Sequence, residues 1–264
     1  MTQLDLAFAP AADGRTDLAR RRLSYPWALT QPFYLDRVPA GMATVIPQSS
    51  AGGLFAGDRL VQAIEVCAGA AAHVTTQGAT VVHAGNNGHH AESVWRLTVA
   101  AGGCLEVLGD PLVLFPDADL RQRIEIEAAG ECVYADGIGW HPEAAFRRYA
   151  ATIEIRRAGK LLALDRVDIA ADDVIREQAA TSRAIGGMGL MLFLNVDAKR
   201  LVGPLRDAAG DAWTGIGTLP NDAGLVARSI VARLGDVMPL HQRLWRAYRE
   251  TTTGIAPADR RRGI

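Results

Sequence analysis

The sequence has few cysteines and no long hydrophobic run, and each absence excludes a class of protein. Its three cysteines, Cys67, Cys104 and Cys132, are an odd number without CxxC spacing, so they form neither a disulfide framework nor a zinc knuckle. A reducing cytoplasm is therefore the expected location. No segment approaches the roughly 18 apolar residues of a membrane-spanning helix, and the N-terminus lacks a basic region followed by an apolar stretch. We expect a soluble protein without a targeting segment.

The sequence also lacks an excess of charge and the common catalytic signatures. Its 28 basic and 29 acidic residues give a net charge of −1, which provides no field to attract nucleic acid or an anionic membrane. There is no GxxxxGK[ST] loop for nucleotide phosphates and no GxSxG nucleophile elbow. Thr75 and Thr76 offer hydroxyls, and His73 is a candidate base, but hydroxyls in such a segment more often pair across strands. The pattern favours a scaffold over an enzyme.

Four similar segments recur along the chain, and each has the form of a strand, an Ala-Gly turn and a second strand. Their central glycines are spaced by 33, 28 and 29 residues, at Gly69, Gly102, Gly130 and Gly159. Apolar and polar residues alternate within them, as in Ile153-Glu154-Ile155, so one face of each strand is expected to be buried. The spacing predicts a β-hairpin that is reused in a stacked architecture.

The rest of the chain completes a mainly β fold: stacked antiparallel or mixed sheets, β-solenoid-like or sandwich-like, with one or two C-terminal helices. Apolar residues near helical spacing predict an amphipathic helical part over about 222–252. The glycine-rich run at 185–192 is interpreted as a turn that enters an apolar strand. No linker divides the chain, so residues 1–264 are predicted to form one domain, with a frayed tail at 256–264.

Histidines near a glycine- and asparagine-rich loop suggest a metal site. His83, His89 and His90 flank residues 85–88, and imidazoles suit nickel, copper or zinc. However, no HxH, HxxxH or HExxH spacing fixes a coordination geometry, so polar loop residues are the favoured interpretation.

Carboxylates beside glycines or prolines form a second candidate group. Asp58, Asp136 and Glu143 either line a polar cavity or cap turns, and their chemistry alone favours turns.

Three ordered motifs resemble the urease accessory protein D family, called UreD or UreH. Residues 31–34 (QPFY) are similar to the family's Q-x-P-F-Y element, and residues 52–60 (GGLFAGDRL) to its G-G-x-x-x-G-D-x-L. Residues 75–80 (TTQGAT) resemble its T-T-Q-x-A-[ST], and Leu105-Glu106-Val107-Leu108 resembles the start of its L-E-W-L-P run. The resemblance spans nearly the whole chain.

The resemblance implies a β-rich, non-enzymatic scaffold for urease maturation. Its expected partners are apo-urease, UreF and, through UreF, the GTPase UreG. It implies no tightly bound cofactor and only transient Ni²⁺, passed through a polar internal tunnel. The positions that match the family's motifs, and that are expected at the tunnel wall or a partner interface, are Gly53, Asp58, Arg59, Thr75, Thr76, Gln77 and Glu143.

The chain departs from the family pattern at two positions. Val81 and Ile138 stand where the family usually has a lysine and an arginine, so two cations are missing that could pair with carboxylates. These departures favour an alternative hypothesis, a diverged scaffold that acts as an enzyme or binds a small ligand outside urease maturation.

Overall fold

The computed structural model of the chain describes residues 1–85, 89–140 and 145–259, and its core lies between two large β-sheets. The seven-stranded sheet contains, in spatial order, β15 (Lys160–Ile169), β14 (Arg148–Arg157), β12 (Asp119–Ala128), β9 (Ala91–Val99), β6 (Arg59–Val66), β1 (Leu4–Pro10) and β2 (Thr16–Leu23). The main path of the nine-stranded sheet contains β17 (Thr214–Thr218), β18 (Gly224–Val231), β16 (Gly187–Leu194), β13 (Glu131–Trp140), β10 (Cys104–Leu108), β7 (Ala71–Thr75) and β4 (Ala43–Val45).

Shorter strands and the helices complete the fold. The nine-stranded sheet also includes β11 (Leu112–Leu114), which pairs with β13 and with β8 (Thr80–Val82). A separate two-stranded sheet joins β3 (Trp27–Leu29) to β5 (Pro47–Ser49). The described residues also form the α-helices α1 (Ala171–Thr181), α2 (Ala198–Ala209) and α3 (Val237–Thr253). The mainly β, solenoid-like fold class predicted from the sequence is confirmed, including the C-terminal helix.

Three of the four repeated segments are arcs between sheets, so the prediction of hairpins is wrong for them. The strands on either side of Gly69, Gly102 and Gly130 lie in different sheets, and each pairs in parallel with the equivalent strand of the next repeat. Only the segment around Gly159 joins two antiparallel neighbours, β14 and β15. An Ala-Gly turn between alternating strands fits both geometries, and the choice depends on which neighbours cover the apolar faces.

Parallel stacking aligns the apolar side chains in rows across the sheets. Ile64, Leu97, Ile126 and Ile155 lie in register on β6, β9, β12 and β14, and each is at most 2% exposed. The opposite face of the same sheet is polar and carries ion pairs such as Arg96–Glu125. One face of the sheet is therefore buried against the second sheet and the other is solvated.

The helical part is shorter and begins later than the sequence predicts. Residues Gly224–Val231 form strand β18, because they alternate in burial and pair with both β16 and β17. The helix α3 starts at Val237. The prediction of a turn entering a strand near 185–192 is confirmed by β16, which begins at Gly187. Within the described ranges, no helix is both long and apolar enough to cross a membrane.

Candidate functional site

The TTQ segment begins at Thr75, the last residue of strand β7, and lies where three open spaces meet. Thr75 Oγ1 donates to the carbonyl oxygen of Leu108 at 2.7 Å. Thr76 Oγ1 donates to Asp110 Oδ2 at 3.1 Å and accepts from the Asp110 backbone N–H at 2.7 Å. Thr76 lines two surface clefts of about 390 and 490 Å³ and also an internal cavity. These bonds fix the threonine at the entrance to the interior.

The internal cavity, here called the central cavity, has a volume of about 70 Å³ and lies between the two large sheets. Gln62, Ser93 and Gln122 line it from the adjacent strands β6, β9 and β12, where they replace apolar residues of the buried rows. All three are buried. The polar wall therefore interrupts a core that is apolar on either side of it.

Two polar atoms of the cavity wall are left without hydrogen bonds. Among the described residues, Gln62 Oε1 and Trp27 Nε1 are buried and have no hydrogen-bond partner. Gln122 Oε1, by contrast, accepts from the Tyr149 hydroxyl at 2.8 Å. Because burying an unpaired polar group costs free energy, the wall is suited to a polar occupant.

Asp136 lies at the boundary between the central cavity and a second one. It lies on β13, and its Oδ1 accepts from the backbone N–H of Gly137 at 2.9 Å. It lines both the central cavity and a smaller space of about 40 Å³, here called the edge cavity. Burial raises the pKa of Asp136 to about 7, against which the hydrogen bond from Gly137 acts. The carboxyl group therefore changes charge near neutral pH.

The edge cavity lies between the last strands of the two sheets. Its wall includes Tyr149 and Val167 from β14 and β15 and Gly189 from β16. Asp165 of β15 and Arg228 of β18 also line it, and their side chains form an ion pair. The clefts, the central cavity and the edge cavity are thus adjacent across the strands, because Thr76 lines both clefts and the central cavity and Asp136 lines both cavities. We call this series the passage.

A buried ionic network lies beside the larger cleft. His73 Nδ1 is 2.8 Å from Glu106 Oε2, and Arg249 Nε donates to Glu106 Oε1 at 2.6 Å. Asp36 Oδ2 is 3.8 Å from Arg249 Nη2. Burial acts to raise the pKa of Glu106, but the hydrogen bond with His73 and the charge of Arg249 lower it to about 2. The network ties α3 to β7 and β10 beneath the cleft.

Comparison with known families identifies the chain. A model of the UreD urease accessory protein family matches residues 1–263. The chain belongs to the UreD family. It is similar to urease accessory protein UreD 1 of Bradyrhizobium sp., with 35% identity over 95% of this chain and 91% of that protein. It is also similar to UreD 1 of Methylorubrum extorquens, with 36% identity over 98% of this chain and 91% of that protein. A third relative, UreD 1 of Pseudomonas syringae pv. syringae, is 33% identical over 97% and 94% of the two chains.

The residues that the UreD resemblance points to are divided between the passage and the surface. Thr75 and Thr76 line the central cavity, and Gln77 is exposed between the two clefts. Gly53 lines the smaller cleft with φ of +140°, and a Cβ there would come within 2.4 Å of the Val81 carbonyl oxygen. The structure therefore brings these residues together around the cleft entrance.

Asp58 lies on an exposed turn of this UreD-family chain, and the exposed Arg59 begins strand β6. Asp58 Oδ2 accepts from the backbone N–H of Phe55 at 2.9 Å, which is the turn-forming role that its chemistry favours. Arg59 forms an exposed ion pair with Glu92 at 2.8 Å. Glu143 lies outside the described residues.

The histidines proposed as metal ligands each have a different environment. His83 stacks on Phe55 with ring centroids 4.5 Å apart, and its Nε2 donates to the Gly52 carbonyl oxygen at 3.2 Å. His90 Nε2 is 3.1 Å from Glu92 Oε1, and His89 is exposed. In the described part of the chain, no group of three or more His, Cys, Asp or Glu side chains is placed to hold a metal ion.

The sequence pattern alone misses the role of several residues of the passage. Gln62, Gln122 and Arg228 belong to ordinary strand patterns, and nothing in their spacing marks them. One available signal was the polar residue at an inward position of a strand, as at Gln122 between Leu120 and Ile124. Ile138, where the family usually has an arginine, is buried and lines the edge cavity, and Arg228 of β18 supplies a guanidinium there instead.

Proposed function

We propose that the chain is a urease maturation scaffold whose passage conducts Ni²⁺ between partner proteins. The observation that carries the proposal is Asp136, a buried acidic residue that lines two adjacent cavities between the sheets. The curated relatives are named as urease accessory proteins, which supports a role in maturation and gives no reason to assign a catalytic step. The three free cysteines are in keeping with action in the cytoplasm.

The lining of the passage suits a divalent cation in transit. Asp136, Gln62 and Thr76 line the same cavity and carry carboxylate, amide and hydroxyl oxygens. Nickel binds imidazole and thiolate ligands well, and isolated oxygen ligands hold it less firmly. A wall of this kind permits entry and release, which a carrier requires and a storage site does not.

Protonation of Asp136 allows the passage to exchange a proton for a cation. With a pKa of about 7, the carboxyl is partly protonated at neutral pH, so an arriving cation displaces a proton. Departure of the cation allows the proton to return. In the protonated molecules the empty passage is neutral at Asp136, which avoids the cost of an unpaired buried charge.

The partners proposed for the chain are apo-urease, UreF and, through UreF, UreG. The clefts around Gln77 and Gly78 are the entrance at which a partner would load or receive the ion. Met238 and Trp245 of α3 line the larger cleft, so an apolar surface borders the entrance. The second end, at Asp165 and Arg228, leaves room for another partner at the same time.

Replacement of Asp136 by asparagine tests the proposal. The substitution keeps the shape of the side chain but removes its charge, so we expect Ni²⁺ incorporation into urease to fall about tenfold, as is typical when a group that supports a metal is removed. Urease activity and bound nickel are measured after co-expression with the accessory proteins. Asp168→Asn is the matched control, since Asp168 is an exposed carboxylate paired with Arg148.

Co-purification separates transport from assembly. The Asp136→Asn protein must still be recovered with UreF and urease, because Asp136 faces the interior. Normal nickel incorporation by this variant would overturn the proposal that the passage conducts the ion.

A further inference from the structure

The ion pair between Arg228 and Asp165 occupies the outer end of the passage. Arg228 is on β18 and Asp165 on β15, so the pair bridges the two sheets where their last strands face each other. Both side chains line the edge cavity, yet that of Arg228 is 43% exposed and that of Asp165 is 25% exposed. The pair therefore lies at the boundary between the edge cavity, which is partly open, and solvent.

We propose that the Arg228–Asp165 ion pair is a gate that closes this end of the passage, an inference that rests on the proposed conduction of a cation. In the closed state, the guanidinium occupies the Asp165 carboxylate, so a cation that has reached Asp136 finds no free carboxylate at this end. The positive charge of Arg228 then stands between the ion and solvent without a free anion to offset it for the ion. Movement of Arg228 away from the cavity frees the Asp165 carboxylate to accept the ion.

The energetics of the pair suit a gate. A partly exposed ion pair contributes little to stability, so solvent or a competing partner can separate it readily. Once Asp165 is free, Asp136 and Asp165 provide two carboxylates in the wall of one small cavity. An acidic side chain of a partner docked at this edge would hold Arg228 in the open position. Release of the ion would then be coupled to docking.

Other contacts hold the same edge together, so the gate can open without unfolding the sandwich. Asn221 Nδ2 donates to the Leu162 carbonyl oxygen at 2.7 Å, within β15. Arg157 pairs with the side chain of Asn195 and donates to the Asp222 carbonyl oxygen at 3.3 Å. These bonds therefore also hold the edge together, so Arg228 is not needed for that role alone. Its position over the edge cavity is not duplicated by them.

Thiol labelling measures the gate without any partner. Ala151 is small, 8% exposed and lines the edge cavity, so Ala151→Cys places a reporter thiol behind the ion pair. The rate of its reaction with a small charged methanethiosulfonate reagent is followed by peptide mapping, which resolves the three native cysteines. Adding Arg228→Met to this background is expected to raise the rate about fivefold, the effect of losing a partly exposed ion pair.

A matched variant and a conservative one make the test specific. Arg148→Met breaks the ion pair with Asp168, which lies on the same strand as Asp165 but is exposed, and it is expected to leave the rate unchanged. Arg228→Lys retains a cation and is expected to restore most of the protection. Equal rates with Arg228 and Arg228→Met would overturn the gate, as would an equal rise caused by Arg148→Met.

The outcome is independent of the proposed function. Labelling reports access to the edge cavity in the isolated chain, whereas Asp136→Asn reports nickel incorporation into urease. If labelling is faster in Arg228→Met but nickel incorporation is normal in Asp136→Asn, the ion pair does restrict access to the edge cavity. The proposal that the passage conducts nickel is then wrong. If the melting temperature of the Arg228→Met variant is within a few degrees of that of the parent protein, faster labelling is caused by opening of the gate and not by global unfolding.

Discussion

Asp136 is a carboxyl group that the fold holds in an energetically unfavourable place. Its side chain accepts one hydrogen bond, from the backbone N–H of Gly137, and burial raises its pKa from an ordinary value of 3.8 to about 7. The folded protein therefore binds a proton at pH values where the unfolded chain has lost it. A group in this position destabilises the fold when it ionises, and such costs are typical of functional sites.

This shift predicts a specific dependence of stability on pH. Because the folded pKa is the higher one, the free energy of unfolding should fall as pH rises from about 4 to about 7, by at most about 4 kcal/mol for this group. Asp136→Asn cannot ionise and lacks this loss. Urea denaturation at pH 5 and pH 8 should show the variant gaining stability relative to the parent protein at the higher pH.

The exposed carboxylate Asp168 provides the control for that measurement. Its hydrogen bond with Arg148 lowers its pKa, the opposite direction, so Asp168→Asn should not gain stability at pH 8. An equal difference between parent and Asp136→Asn at both pH values would show that Asp136 is ionised and well solvated in the folded protein.

Residues of the site differ in how far the sequence alone identifies them. The TTQ motif is found from its resemblance to the UreD family, and the structure places Thr75 and Thr76 at the passage. His73 and Glu106 are 33 residues apart and meet only because β7 and β10 pair in parallel register. Their partner Arg249 comes from a helix 143 residues beyond Glu106. Contacts of this kind depend on strand order, which alternation within one strand does not encode.

Gly130, at the centre of the third arc, lies in close contact with the backbone of the preceding arc. A Cβ on Gly130 would lie 2.3 Å from the Ala100 carbonyl oxygen and 2.4 Å from that of Gly103. Both oxygens belong to the preceding arc, whose backbone cannot move without disturbing the ladder. Gly130 is thus required by close approach of the backbone and not by a positive φ.

Substitution at Gly130 tests the stacking of the arcs. Gly130→Ala should lower the free energy of unfolding by about 2–3 kcal/mol, the usual cost of forcing a methyl group into a packed site. A methyl group on Gly215 of β17 would meet no atom within 4 Å, so Gly215→Ala is the control and should change stability by less than about 0.5 kcal/mol. Equal effects in urea denaturation would contradict tight stacking at Gly130.

The periodic pattern of apolar residues predicts some secondary-structure elements correctly and fails for others. Strands such as β12 and β14 are predicted well, because their alternation reflects one buried and one solvated face. The hairpin prediction fails at three arcs, since local sequence gives the turn but not the sheet that each strand joins. Helix α2 is missed because it contains Gly203 and Pro204, which disfavour helices. Its buried face against α3 compensates for both.

Across the whole molecule, the two ends of the passage and the outer face of the seven-stranded sheet have different surfaces. That face carries a ladder of ion pairs, including Arg20–Glu65, Arg96–Glu125 and Arg123–Glu154. Paired, hydrated charges are not expected in the core of an interface, because interface cores are depleted in charged residues. The cleft entrance instead combines exposed polar backbone and Gln77 with Trp245 and Met238 of α3. We therefore expect a partner at the cleft entrance.

A pair of matched tryptophan substitutions tests this division of the surface. Gln77 at the cleft entrance and Thr98 on the outer face of β9 are both exposed polar residues, so each accepts a larger side chain without disturbing the core. If a partner covers the entrance, Gln77→Trp should reduce recovery of UreF or urease in co-purification at least fivefold, equivalent to about 1 kcal/mol or more of lost binding. Thr98→Trp should leave recovery unchanged because no partner is expected there. Loss of recovery with Thr98→Trp alone would place the interface on the ion-pair ladder, and the passage would then end at free surface on both sides.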